Sequence, residues 1–342
     1  MRPVGRTSTG RVRLPAIDHL KAAAIVAVVF THSARLGLKG PVTPWDLVLA
    51  GMWVPYHVPT FLFVSGFLYA GRDAGRDAGR EPLERSRLLA RLSRVLLPYL
   101  VASLLVQASG TSGAGSLREA AFQLATASAV GSYYYVALIV CCIFVAWPLS
   151  RAPEGAVAVL WAALLAYGLA AWLEPSLSIS RGVFWSLRNP LQHFFLAYFV
   201  AGWGAALLLP RSIDTIRRRR KELIALSGGA VLFGVLVYGQ QLGLRPSPVV
   251  RLVYSFGVIG GIALLTAPRA PGATVRLLSE ASLAIYLFHR MFQLCTQSLV
   301  EDWHPAARIL TQAAVGLVGG GLLAWGGRRV LGAPRARAWL GA

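Results

Sequence analysis

Apolar residues gather along this chain in long, nearly continuous runs rather than in strict alternation, and this pattern predicts helices. A bilayer core is crossed by about 20 apolar helical residues. Ten runs of about that length stand near residues 16–36, 47–70, 86–108, 132–150, 155–173, 190–209, 222–241, 249–267, 279–299 and 306–327. The less apolar stretch 116–130 predicts an interfacial segment outside the membrane. The expected fold is therefore an all-α integral membrane protein, a bundle of about ten transmembrane helices. No matching halves with interrupted runs, the usual pointer to a transporter, are visible.

The polar stretches between the runs give the orientation. Segments 1–15, 71–94, 151–154, 210–222, 268–278 and 328–342 share one side of a ten-span frame, and they hold 24 of the 34 Lys and Arg. Cytoplasmic loops carry that excess, so both termini are expected in the cytoplasm. The run Arg217-Arg218-Arg219-Arg220-Lys221 is the strongest marker of that side. Arg72 to Arg80, a short Arg-Asp-Ala-Gly repeat, reads as a solvated linker. The organisation is a basic N-terminal segment 1–15, a transmembrane domain 16–327 and a basic tail 328–342. The start is basic and the first run is long enough to span, so that run is expected to stay as helix one rather than leave as a signal peptide.

Composition agrees. Of the 342 residues 56% are hydrophobic and 14% charged, and the mean hydropathy is +0.57. Soluble domains carry about 25% charged residues, so lipid is the expected partner. The net charge of +20 does not point to nucleic acid, because the cations sit in short loops. Cys141, Cys142 and Cys295 lie inside apolar runs without metal-ligand spacing and read as small buried apolar residues. No metal is expected. The sequence has no phosphate-binding Gly-Lys-Ser loop, serine nucleophile elbow or zinc signature, so any catalysis must use polar groups within the spans.

Ionisable groups in a span cost about 2.5–3.5 kcal/mol each on insertion scales, so those present carry the functional signal. Helix one contains Asp18, His19, Lys21 and His32. At about 100° per residue, Lys21 and His32 fall within about 20° of each other, roughly 16 Å apart along the axis. Asp18 joins that face and His19 points elsewhere. The trio reads either as a snorkelling lysine with a histidine bonded to a neighbouring helix, or as a polar seam lining a cavity. His57 is expected mid-span in helix two, loosened by Pro59, with Ser65-Gly66 further on as a packing or cavity pair. Arg91 and Arg94 share a face where helix three begins, as positive-inside anchors or as a fork for phosphate. Tyr286, His289 and Arg290 fall in helix nine, with His289 either lining the same cavity or closing an interhelical hydrogen bond. His193, His304 and Glu280 carry little weight.

These stretches resemble the acyltransferase 3 family. Ile17 to Ile25 leading to Phe30-Thr31-His32 is similar to its first helix, in which a basic residue, ten intervening residues and a His recur. The family usually has Arg at the first position, and Lys21 keeps the charge without the bidentate fork. His57-Val58-Pro59 through Ser65-Gly66-Phe67, then Arg91-Leu92-Ser93-Arg94 with Pro98-Tyr99, then Ser282 to His289, resemble three further family motifs in the same order. Tyr133-Tyr134-Tyr135 is a weaker match to aromatics opening a helix. The resemblance covers about residues 14 to 300.

It implies a membrane-embedded O-acyltransferase in a plasma or inner membrane. The group would pass from cytoplasmic acyl-CoA, typically acetyl-CoA, to a hydroxyl of a sugar, glycan or lipid-linked acceptor. On that reading His32 is the base or a transient acyl carrier, and Asp18 and Lys21 orient groups or stabilise charge. Arg91 and Arg94 hold the phosphates of coenzyme A, and His57, Ser65, Tyr133, Tyr135, Tyr286 and His289 line the site. The alternative from another class is a multi-pass transporter or flippase, with His and Lys as a proton relay.

Overall fold

The computed structural model describes residues 14–37, 51–74, 85–109, 115–130, 132–174, 194–240 and 248–342. The basic start up to residue 13, most of the Arg-Asp repeat and His193 lie outside them. Among the described residues every regular element is helical. In chain order these are α1 (Pro15–Gly37), α2 (His57–Ala74), α3 (Arg85–Ala108), α4 (Leu117–Thr126), α5 (Tyr134–Leu149), α6 (Glu154–Leu173) and α7 (Phe195–Arg218). There follow α8 (Arg220–Gln240), α9 (Pro248–Thr266), α10 (Ala273–Glu280), α11 (Ser282–Thr296), α12 (Pro305–Leu331) and α13 (Ala333–Leu340).

Each apolar run overlaps a helix. Among the described residues six helices are long and apolar enough to cross a membrane, namely α1, α3, α6, α7, α9 and α12, and the shorter apolar stretches are His57–Ala70 and Tyr134–Leu149. Large apolar side chains stand exposed on several of them, such as Leu104, Val159, Leu310 and Leu322. Surfaces of that kind suit hydrocarbon rather than water. The expected interfacial segment is α4, which buries none of its residues. Ser116 caps it by accepting from the Glu119 N–H at 3.2 Å, while the Glu119 carboxylate reaches back to the Gly115 N–H at 2.9 Å.

Two departures from the sequence pattern bear on function. His57 opens α2 instead of lying mid-span, preceded by turns over residues 52–56. Pro59 thus falls in the first helical turn, where its missing N–H costs nothing, and it does not loosen the helix. The segment 268–278, expected as a polar loop, holds most of a short helix, α10, which ends before Ala281, where ψ is 2°, and is followed by α11. Helix α10 packs on α1.

The chain divides into two compact units. The first comprises Met1–Val64 and Arg211–Leu322. In it α1 packs against α9, α10 and α11, and α8 lies along α9, where Arg220 Nε donates to the Leu264 carbonyl at 3.1 Å. Tyr254 and Ser255 of α9 donate to the carbonyls of Met52 and Pro55, at 3.0 and 2.8 Å. The second unit comprises Ser65–Pro210 and Leu323–Ala342. There α3 packs against α5 and α13. Gly66 of α2 lies so close to the Phe199 carbonyl of α7 that a Cβ at that position would collide with it. Ser65-Gly66 therefore includes a true packing contact, in which a missing side chain lets two backbones meet.

Candidate functional site

The first unit assembles two polar clusters on α1. At one end Asp18 is buried, and its carboxylate accepts from the Ser279 hydroxyl at 2.7 Å. Ser279 stands at the end of α10, and its own carbonyl accepts from the Ser282 hydroxyl at 3.0 Å across the break. The interruption at Ala281 thus delivers a hydroxyl to a carboxylate 261 residues away in sequence. Lys21 is half-buried one turn along. His19 turns back on its own helix, donating from Nδ1 to the Pro15 carbonyl at 2.9 Å.

At the other end the buried ring of His32 faces that of His289 on α11, with centroids 5.2 Å apart and planes inclined by 41°. His289 is fully buried. Its Nδ1 lies 2.8 Å from the Tyr286 carbonyl and 3.0 Å from that of Ile285. Only a protonated nitrogen satisfies a carbonyl, so a neutral His289 carries its lone pair on Nε2. That Nε2 makes no hydrogen bond to the protein. Beside it, Gln293 Nε2 donates to the Ser33 hydroxyl at 2.8 Å and to the Val29 carbonyl at 3.3 Å. The Tyr286 ring lies 6.3 Å from His289. His57 is buried and donates from Nδ1 to the Trp53 carbonyl at 2.9 Å, and the Trp53 ring stacks on Phe30 of α1 at 5.2 Å.

The continuous polar seam expected along α1 is interrupted. Ile25 and Val28 lie on the stripe that joins Lys21 to His32, and they are 0% and 2% exposed. Helix periodicity aligned the two ends correctly, but the residues between them pack as core.

In the second unit Tyr69 of α2 joins the expected residues. Arg91 is buried with its guanidinium 4.2 Å above the Tyr69 ring. Tyr135 shares a side-chain hydrogen bond with Ser65, one turn before Tyr69, and lies beside Tyr69 itself. Tyr133 is fully buried edge-on to Tyr99 at 5.6 Å, and the Tyr99 hydroxyl donates to the Leu124 carbonyl at 2.6 Å. Arg94 is exposed, so the two arginines do not form a matched fork in one pocket. Three residues of helical spacing share a side only loosely, and here the packing of α2 covers one and not the other.

Sequence reasoning missed Ser279, Ser33, Gln293 and Tyr69. Tyr69 had a readable signal, four residues after Ser65 on one helical face. Of the cysteines Cys142 is buried and Cys141 half-buried, but Cys295 is exposed on α11 rather than buried. Among the described residues, no three His, Cys, Asp or Glu side chains gather as a metal site would.

The family model for an acyltransferase domain, Acyl_transf_3, matches residues 14–326. The chain belongs to the acyltransferase 3 family. The match runs from the start of α1 almost to the end of α12, and so includes every element that carries a candidate residue. No curated protein and no solved structure matches the chain. Membership makes this helical membrane protein an acyltransferase and favours group transfer over transport.

Proposed function

We propose that the protein moves an acyl group, acetyl by family habit, from a cytoplasmic acyl-CoA to a hydroxyl of a sugar, glycan or lipid-linked acceptor. The observation that supports this most is the pair of facing imidazoles, His32 and His289, among buried polar side chains of a family member. In the proposed reaction the acceptor oxygen bonds to the thioester carbonyl carbon while its proton passes to the His32 imidazole. The carbon–sulfur bond breaks, and coenzyme A leaves as the thiolate and takes up a proton. General-base assistance of that kind contributes about 10²–10⁴-fold. Asp18 and Lys21 position groups along α1. Arg91, stacked on Tyr69, meets a phosphate of coenzyme A, with Arg94 as an outlying charge. Ten spans, cytoplasmic termini and a plasma or inner membrane location belong to the same proposal.

Acyl transfer by the purified full-length protein tests it. His32→Ala should fold and lose about 10²–10⁴-fold in transfer. A folded His32→Ala protein with full activity would remove His32 from the reaction. Stabilisation of the wild-type protein by coenzyme A is the second readout, since a ligand that binds only the folded state raises the melting temperature.

A further inference from the structure

The first unit buries carboxamides for which the reaction above has no use. Gln312 of α12 is 0% exposed, and neither its Nε2 nor its Oε1 makes a hydrogen bond to the protein. Gln293 is also 0% exposed, and although its Nε2 is engaged, its Oε1 has no partner. The third such group is His289 Nε2. Buried polar groups are normally satisfied, so three in one region mark a place where something else supplies the partners.

The three belong to one locality. A Cβ built on Gly316 of α12 would lie 3.2 Å from Gln293 Nε2 and 3.0 Å from Val29 of α1. The stripe of α12 that bears Gly316 therefore faces α1 and α11 together. Gln312 lies on that stripe, one turn or about 6 Å from Gly316. Gln293 and His289 lie one turn apart on α11, where His289 meets His32 and Gln293 meets Ser33. Arg308, one further turn along α12, is directed to the Trp303 carbonyl at 2.9 Å.

We propose that Gln312 and Gln293, together with His289 Nε2, form a subsite for a neutral polyhydroxyl acceptor and hold it beside His32. A carboxamide presents donors and an acceptor without charge, and each hydroxyl of a sugar likewise donates and accepts, so neighbouring hydroxyls complement paired carboxamides. The subsite rests on the acyltransferase reading, and it adds the residues that select the acceptor.

The test uses full-length protein in nanodiscs with acetyl-CoA and follows release of free thiol. The acceptor probes are methyl β-glucoside, which arrives from water, and octyl β-glucoside, which arrives from the bilayer. Gln312→Met replaces the carboxamide with an apolar chain of the same length. It should raise the half-saturating glycoside concentration on the order of tenfold, because a matched hydroxyl pair is lost. Its melting temperature should equal or exceed that of wild type, because no hydrogen bond within the protein is removed, and coenzyme A should still stabilise it. Gly316→Ala, which presses a methyl on Gln293, should also raise the half-saturating concentration. The probe that responds to the substitutions tells whether the acceptor enters from water or from lipid. Unchanged half-saturation in Gln312→Met overturns the subsite, and so does a protein that fails to fold or melts well below wild type. Wild-type protein that releases no thiol with either glycoside sinks the acyltransferase reading, and the subsite with it.

Discussion

Replacing Ser279 with Ala removes one oxygen and with it the hydroxyl that donates to Asp18 at 2.7 Å. Asp18 is 7% and Ser279 1% exposed, so water cannot readily take the place of the lost donor. A hydrogen bond to a charged group contributes about 1.5–3 kcal/mol net, and the alanine leaves only a small void. With an unfolding entropy that grows with chain length, each kcal/mol shifts the melting temperature of a chain this long by about 1.4 °C, so it should fall on the order of 2–4 °C. The assay is thermal unfolding of the detergent-solubilised full chain, followed as loss of the monodisperse peak, for wild type, Ser279→Ala, Asp18→Ala and the double variant. The cycle isolates the pair, and its coupling should be about 1.5–3 kcal/mol. If Ser279→Ala costs as much without Asp18 as with it, the break at Ala281 does not serve to bring a donor to the carboxylate, and the reasoning fails.

Arg91→Gln should weaken stabilisation by coenzyme A at least tenfold in apparent affinity, and Arg94→Gln by a few-fold at most, since exposed charge pairs contribute only about 0–1 kcal/mol. Equal losses at the two positions would refute a special role for the guanidinium stacked on Tyr69. Gly66→Leu should destabilise by about 1–3 kcal/mol or more, because the new side chain must push α2 away from the Phe199 carbonyl. A Gly66→Leu protein with wild-type melting and yield would count against that close approach.

Helix class and the position of each apolar run were readable from the sequence, because they depend on local properties. Twenty consecutive apolar residues and clusters of arginine act within a few turns of their own position. The alignment of Asp18, Lys21 and His32 was readable for the same reason, since helix periodicity alone sets it. Periodicity could not say what stands opposite. In lipid the face of a helix that meets hydrocarbon and the face that meets another helix are both apolar, so the pattern does not mark the interface. Packing alone therefore decided that Ile25 and Val28 close the stripe between Lys21 and His32, and that Arg91 is covered while Arg94 is not. Packing also brought Ser279 to Asp18, 261 residues away, and Gln293 to Ser33, 260 residues away, by setting α10 and α11 against α1. Long-range pairs of this kind follow from which helices meet and at what height, and those depend on the whole bundle rather than on any one run.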